Sequence, residues 1–131
     1  MTKYLLDVSS LIALGLGRHQ FHDRVRAWVN SQPDCIFLTC SITELGFVRI
    51  IAQAQAYGFT ITQARSVLLG LRENTGFRFE FVPDGNDVSL LPIWVAVSRQ
   101  TTDGHLVELA KSHGAILATL DEDIPGAYTI P

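Results

Sequence analysis

Short, almost wholly apolar runs alternating with helix-periodic segments are the feature that most narrows the folds open to this chain. Tyr4-Leu5-Leu6-Asp7-Val8, Cys35 to Cys40 and Ala115 to Leu120 are too short for buried helices, and they lack the apolar and polar alternation of a strand with one wet face. Between them, apolar residues recur at helical spacing. The helical stretches are Leu11 to Leu14 behind Ser9-Ser10 and ahead of Gly15 and Gly17, Phe21 to Val29, Ser41 through Ala52, Thr60 or Thr62 through Leu71, and Thr101 to Ala110 closed by Gly114. Phe77 to Val82 alternates as a further strand, Pro83-Asp84-Gly85-Asn86 is a turn, Leu90 to Val97 is expected as a helix carrying Trp94, and Tyr128-Thr129-Ile130 as a last edge strand. Strands apolar on both sides and joined by helical crossovers form a parallel sheet covered on both faces, so the expected fold is α/β with a mainly parallel sheet of four to five strands. At 131 residues and 47% hydrophobic content, residues 1–131 are expected to form one domain.

A formal charge of −3 rules out attraction to nucleic acid by net positive charge, so any polyanion has to be met locally. Eight of the ten basic residues are Arg, the better fork for phosphate. Cys35 and Cys40 form neither a zinc pattern nor a disulfide framework, and are read as buried, reduced thiols. The N-terminus reaches Asp7 before a signal-peptide stretch can form and no apolar run approaches membrane-spanning length, so a cytoplasmic protein with no membrane contact is expected. A mean hydropathy of +0.22 suggests apolar surface covered by a partner, with Phe21, Trp28, Val48, Ile51 and Tyr57 as the residues expected at the surface. On that reading the chain forms a homodimer.

In a parallel sheet, ligands sit beyond the carboxyl ends of the strands. Asp7 follows the first strand, Glu44 lies in the first turn of the helix after the second, Asp103 opens a late helix, and Asp121 follows a strand. Each has an ordinary explanation. Ser41-Ile42-Thr43-Glu44 reads as a capping box, Asp103 complements a helix dipole, and Asp121 precedes a turn. Asp7 is harder to excuse, because a carboxylate abutting Leu5-Leu6 needs a cation or hydrogen-bond donors, which Ser9 and Ser10 could supply. Carboxylates brought to one place repel each other unless a divalent ion neutralises them, so a single metal site accounts for all four better than four coincidences. His19, His22, His105 and His113 are not at metal spacing with a carboxylate and are read as surface or helix-face residues, with His105 nearest the acids and able to touch a bound strand. Asp84 and Asp87 are read as turn and cap residues.

Four stretches carry a family likeness. They are Leu5-Leu6-Asp7-Val8-Ser9-Ser10-Leu11-Ile12-Ala13-Leu14, Thr43-Glu44-Leu45-Gly46-Phe47-Val48-Arg49-Ile50, Thr102-Asp103-Gly104-His105-Leu106-Val107-Glu108-Leu109-Ala110, and Leu117-Ala118-Thr119-Leu120-Asp121-Glu122-Asp123. In order, spacing and overall size the chain resembles the PIN-domain nucleases and, within them, the VapC-type toxins of toxin–antitoxin modules. The resemblance implies a three-layer α/β/α PIN fold, Mg²⁺- or Mn²⁺-dependent cleavage of single-stranded or looped RNA, and inhibition by a cognate antitoxin protein. It implies that Asp7, Asp103 and Asp121 bind metal and that Glu44 completes the shell or orients the attacking water. Ser9 and Thr119 are expected to hold these ligands in place. Asp123 is a possible further group beside Asp121, which is preferred because it directly follows the strand. Arg18, His22 and Arg49 are the expected RNA contacts. A non-toxin PIN nuclease of RNA processing and a catalytically silent PIN-like binding module remain alternatives. A phosphoacceptor receiver domain fits poorly, because it needs an acidic pair after the first strand and a strand-end Lys, whereas the only lysines are Lys3 and Lys111.

Overall fold

The apolar runs become the strands β1 (Lys3–Leu6), β2 (Ile36–Thr39), β3 (Phe79–Phe81), β4 (Ile116–Thr119) and β5 (Tyr128–Thr129) of one sheet in a computed structural model, which describes residues 1–74 and 76–131. Their order is β3-β2-β1-β4-β5 and every pair is parallel. The crossovers supply the helices α1 (Val8–Gly15), α2 (His22–Asn30), α3 (Ser41–Gln53), α4 (Ile61–Arg72) and α5 (Thr101–Ser112). From β1 the chain winds first toward β2 and β3 on one side, then returns to place β4 on the other. The point where direction reverses therefore lies between β1 and β4, the usual location of a ligand crevice in open parallel sheets.

Side chains alternate across each strand, so the sheet divides two apolar cores. Tyr4, Leu6, Phe37 and Ala118 pack with the buried residues of α1 to α4, whereas Leu5, Ile36, Leu38 and Leu117 pack with Leu106, Leu109 and Ala110 of α5. Helices on both faces give the expected three-layer α/β/α architecture. Cys35 and Cys40 are buried free thiols.

The expected helix from Leu90 to Val97 does not form. A 3₁₀ turn at Val88–Leu90, capped by the Asp87 carboxylate, gives way to extended backbone at Leu91, and a second 3₁₀ turn at Ser98–Gln100 feeds α5. Pro92 is the physical reason, since it has no N–H to donate and steers the residue before it away from helical backbone. The whole segment from Val82 to Gln100 is instead a cover laid along α5. His105 Nε2 meets the Asp84 carboxylate at 2.6 Å, His113 Nε2 meets the Pro83 carbonyl at 2.9 Å, and the Asn86 amide donates to Ser112 Oγ at 3.1 Å. His105, expected to be the histidine able to touch a bound strand, is thus engaged in pinning this cover.

The cover approaches α5 most closely at Gly104. A Cβ placed there would lie 2.3 Å from Val95 Cγ2 and 3.2 Å from Pro92 Cδ, both on stiff side chains. Gly104→Ala is therefore expected to destabilise the protein by about 1–3 kcal/mol through overpacking. The exposed Gly70 of α4 has nothing within 4 Å of its would-be Cβ. There, Gly70→Ala should stabilise by about 0.5–1 kcal/mol through reduced unfolded-state freedom. Urea unfolding of the two variants checks the opposite signs.

Candidate metal centre

Asp7 ends β1 in extended backbone and caps α1, and it is only 7% exposed. Its carboxylate is surrounded by donors. Oδ1 accepts from the Ser10 N–H at 2.9 Å and the Ser10 hydroxyl at 2.7 Å, and Oδ2 accepts from the Thr119 hydroxyl at 2.5 Å. Its own N–H donates to the Ala118 carbonyl at 3.2 Å. Thr119 thus holds Asp7 as expected of it, but Ser9 does not: Ser9 is exposed and Ser10 does the holding. The helical turn explains the change, because the residue at Ncap+3 faces the cap side chain whereas the one at Ncap+2 points outward.

Thr119 also positions the acid that follows its strand. Its Oγ1 accepts the Asp121 N–H at 3.0 Å, and Asp121 Oδ1 in turn accepts the Asp123 N–H at 2.8 Å, a turn closed by the carboxylate itself. Asp103 projects from the first turn of α5 into the same region. Burial pushes its carboxyl above the ordinary carboxylate range, and the neighbouring charges of Asp7 and then Asp121 push it further. Strand alternation accounts for the meeting, since Asp7 and Thr119 are in phase with Leu5 and Leu117, which face α5. Asp103, Asp121 and Asp123 line one hollow with Trp94, Arg99, Gln100 and Ile124.

Glu44 is engaged elsewhere. The structure corrects the Ser41 capping box: Cys40 is the cap, its N–H donates to the Thr43 hydroxyl at 3.0 Å, and Glu44 falls one position too late to reach back. Its carboxylate instead accepts from the Thr39 hydroxyl at 2.5 Å and pairs with Arg72 at 3.3 Å. Thr39 is in phase with Phe37, on the opposite face from Thr119, and Glu44 is not among the charges that raise Asp103. The expected RNA contacts also lie away from the hollow. Arg18 donates to the Tyr57 carbonyl at 2.8 Å, His22 Nδ1 meets the Ala13 carbonyl at 2.8 Å, and Arg49 lines a groove between α3 and α4. Periodicity in the sequence gives no site role to Trp94 or Arg99, which the irregular cover brings to the hollow.

Asp7, Asp103 and Asp121 make an all-oxygen donor set suited to a hard divalent cation. Among the described residues, no three His, Cys, Asp or Glu side chains stand close enough to hold a metal ion by themselves. The oxygen chemistry of the set is the first mark of fit for Mg²⁺, which usually keeps several waters and takes only one or two carboxylates. The charge crowding at Asp103 is the second mark of fit, because a cation is what such a cluster lacks.

Comparison with known proteins agrees with this architecture. The PIN domain family matches residues 4–128. Ribonuclease VapC38 of Mycobacterium tuberculosis is 38% identical over 132 residues, covering 96% of this chain and 88% of its own. Ribonuclease VapC29 of the same organism is 35% identical, covering 92% of this chain and 86% of its own. Among solved structures, VapC20 of M. tuberculosis, described as a sarcin-ricin loop cleaving toxin, superposes with a TM-score of 0.62 at 15% identity and 92% coverage of each chain. PAE2754 of Pyrobaculum aerophilum superposes with a TM-score of 0.60 at 21% identity, covering 98% of this chain and 90% of its own. Matched by the family over residues 4–128 and by relatives at 35–38% identity along almost all of its length, the chain belongs to the PIN-domain family and, within it, to the VapC branch.

Proposed function

We propose that residues 1–131 act as one PIN domain, a divalent-metal-dependent endoribonuclease that serves as the toxin of a type II toxin–antitoxin pair in the cytoplasm. The observation that carries the reading is the placement of the acids where strand order reverses: Asp7 held by Ser10 and Thr119, Asp121 ordered by the same Thr119, and Asp103 lining one hollow with Asp121. The ribonuclease names of relatives at 35–38% identity support the same conclusion.

In this reading Asp7, Asp103 and Asp121 hold Mg²⁺ or Mn²⁺, which neutralises the scissile phosphate and acidifies the attacking water. Asp7 is fixed by its donors from Ser10 and Thr119, so it meets the cation without reorganising. Asp121 is aimed by the same Thr119 hydroxyl, and Asp123 stabilises the turn that presents it. Glu44, held by Thr39 and Arg72, is assigned to orienting water or strand at the margin rather than to gripping the ion. Water oxygen attacks phosphorus, the bond to the 3′ oxygen breaks, and a proton reaches that oxygen, leaving 5′-phosphate and 3′-hydroxyl ends.

The partners in this reading are a cognate antitoxin and a second copy of the chain. The apolar surface differs in detail from the sequence expectation. Trp28 and Ile51 are buried in the core, Val48 and Tyr57 are partly buried against it, and of the five only Phe21 is exposed, at 36%. Leu45 at 67%, Ile50 at 38%, Ile61 at 57%, and Leu69 and Phe81 at 45% each are the large apolar groups exposed on and beside α3 and α4 among the described residues. In this reading that surface is assigned to protein contact; among the described residues no helix is long and apolar enough to cross a membrane.

Asp7→Asn is expected to fold and to lose at least about 100-fold in Mg²⁺-dependent cleavage, an effect of the size seen for removed charge-stabilising groups. The amide is tolerated because the Thr119 hydroxyl can turn from donor to acceptor. Near-normal cleavage by the purified variant ends the assignment. Asp103 gives a pH prediction. Its folded carboxyl is raised, so the folded state binds more protons than the unfolded one between the ordinary Asp value, about 3.9, and its own. Stability contributed by the protonated form is therefore lost as pH rises through that window. Asp103→Asn should raise the melting temperature of the metal-free protein by a few degrees at pH 7, and the gain should vanish below about pH 3.9. Millimolar Mg²⁺ should stabilise the parent more than this variant. For the partner surface, light scattering at micromolar concentration should give a dimer mass for the parent and a monomer mass for Leu69→Asp. A parent monomer would remove the homodimer from the proposal.

A further inference from the structure

We propose that the hollow of about 260 Å³ beside Asp103 seats one unpaired nucleotide of the RNA strand, with its base stacked on Trp94 and a phosphate met by Arg99. This subsite rests on the nuclease reading of the adjoining aspartates and adds to it a determinant of how the strand is held.

Trp94 is half-buried, packed on one side against the core formed with α5, and it lines the hollow. A large aromatic face bordering a polar recess is the surface that stacks unpaired bases, and it does so with little sequence preference. Its support is firm. Gly104 lets the Pro92–Val95 segment rest directly on α5 one residue beyond Asp103, and the Gln100 side-chain oxygen accepts the N–H groups of Ala96 at 2.9 Å and Val97 at 3.3 Å. The platform is thereby held beside the acids.

Charge selects which part of a strand can enter. Three aspartates line the recess, so a phosphate is repelled there except near a cation, whereas a neutral base is not. Among the described residues, Arg99 is the one basic residue lining it. Arg99 is exposed and, among the described residues, forms none of the ion pairs, which join Arg72 to Glu44, His105 to Asp84 and Lys111 to Glu108. At about 260 Å³ the hollow falls just below the roughly 300–1,000 Å³ typical of sites that enclose a small ligand, so it can take no more than one nucleotide and excludes a duplex.

Tryptophan emission tests this without relying on cleavage. The chain has two Trp residues, and Trp28 is 4% exposed in the opposite core, so a change on binding reports Trp94. A short unpaired oligouridylate is titrated with Mg²⁺ in the Asp7→Asn background, and a 5′-fluorescent copy gives affinity by anisotropy. Quenched emission is expected. Trp94→Phe should abolish the emission change while binding within a few-fold of the parent, and Trp94→Ala should weaken binding about ten-fold. Replacing the bases with abasic residues should weaken parent binding similarly. Arg99→Gln should lower the slope of log affinity against log salt by about 0.7. Unchanged emission at saturating oligonucleotide, or equal affinity of parent and folded Trp94→Ala, overturns the subsite. If Trp94→Ala fails to fold, the Trp94→Phe and abasic comparisons decide. The outcomes separate the two readings: cleavage surviving Asp7→Asn strikes the nuclease assignment, whereas absent stacking with cleavage intact strikes only this one.

Discussion

Everything at the functional end of this molecule depends on how a carboxylate is kept at the buried end of a central strand. Asp7 cannot be left there without donors, since an unpaired charge against Leu5 and Leu6 would cost several kcal/mol. The solution uses both neighbouring elements. Ser10 comes from the helix that Asp7 itself caps, and Thr119 comes from the adjacent parallel strand. One interaction set therefore starts α1, locks β1 to β4 and aims Asp121, while leaving Asp103 to feel two charges it cannot neutralise.

Much of this was legible because burial on both faces leaves a plain mark. β1, β2 and β4 are apolar without alternation, and α5 followed by β4 has a clear start, stop and turn. The irregular cover was not legible as such. Its apolar residues from Leu90 to Val97 mimic helical spacing, yet Pro92 denies a helix, and the segment is shaped by contacts with α5 that no local pattern encodes. Trp28 and Ile51 were expected on the surface for a related reason. Two-sided coverage buries more of each helix than a single stripe, so an excess of apolar residues on α2 and α3 partly measures core thickness.

The site itself was legible as a list and less so as a shape. Strand phase carries Asp7 and Thr119 toward the side of the sheet that α5 covers, where Asp103 opens that helix, a relation that follows once the parallel order is known. Glu44 shows the limit. Its place after β2 suggests either a cap or a ligand; a helix start one residue earlier removes the cap, and Thr39 and Arg72 hold the carboxylate. The choice between Ser9 and Ser10 turned on the same scale of detail.

The bond between Asp7 and Thr119 joins residues 112 positions apart. Closing so long a loop carries a large entropic cost before any contact repays it, and parallel pairings of this span form late. During synthesis the first acid emerges long before the strand that orients it. Until β4 docks beside β1, the chain carries its carboxylates as separate groups with no common focus. The site therefore has no lasting form until β4 is in place beside β1, and its geometry is a property of the finished sheet rather than of any one segment.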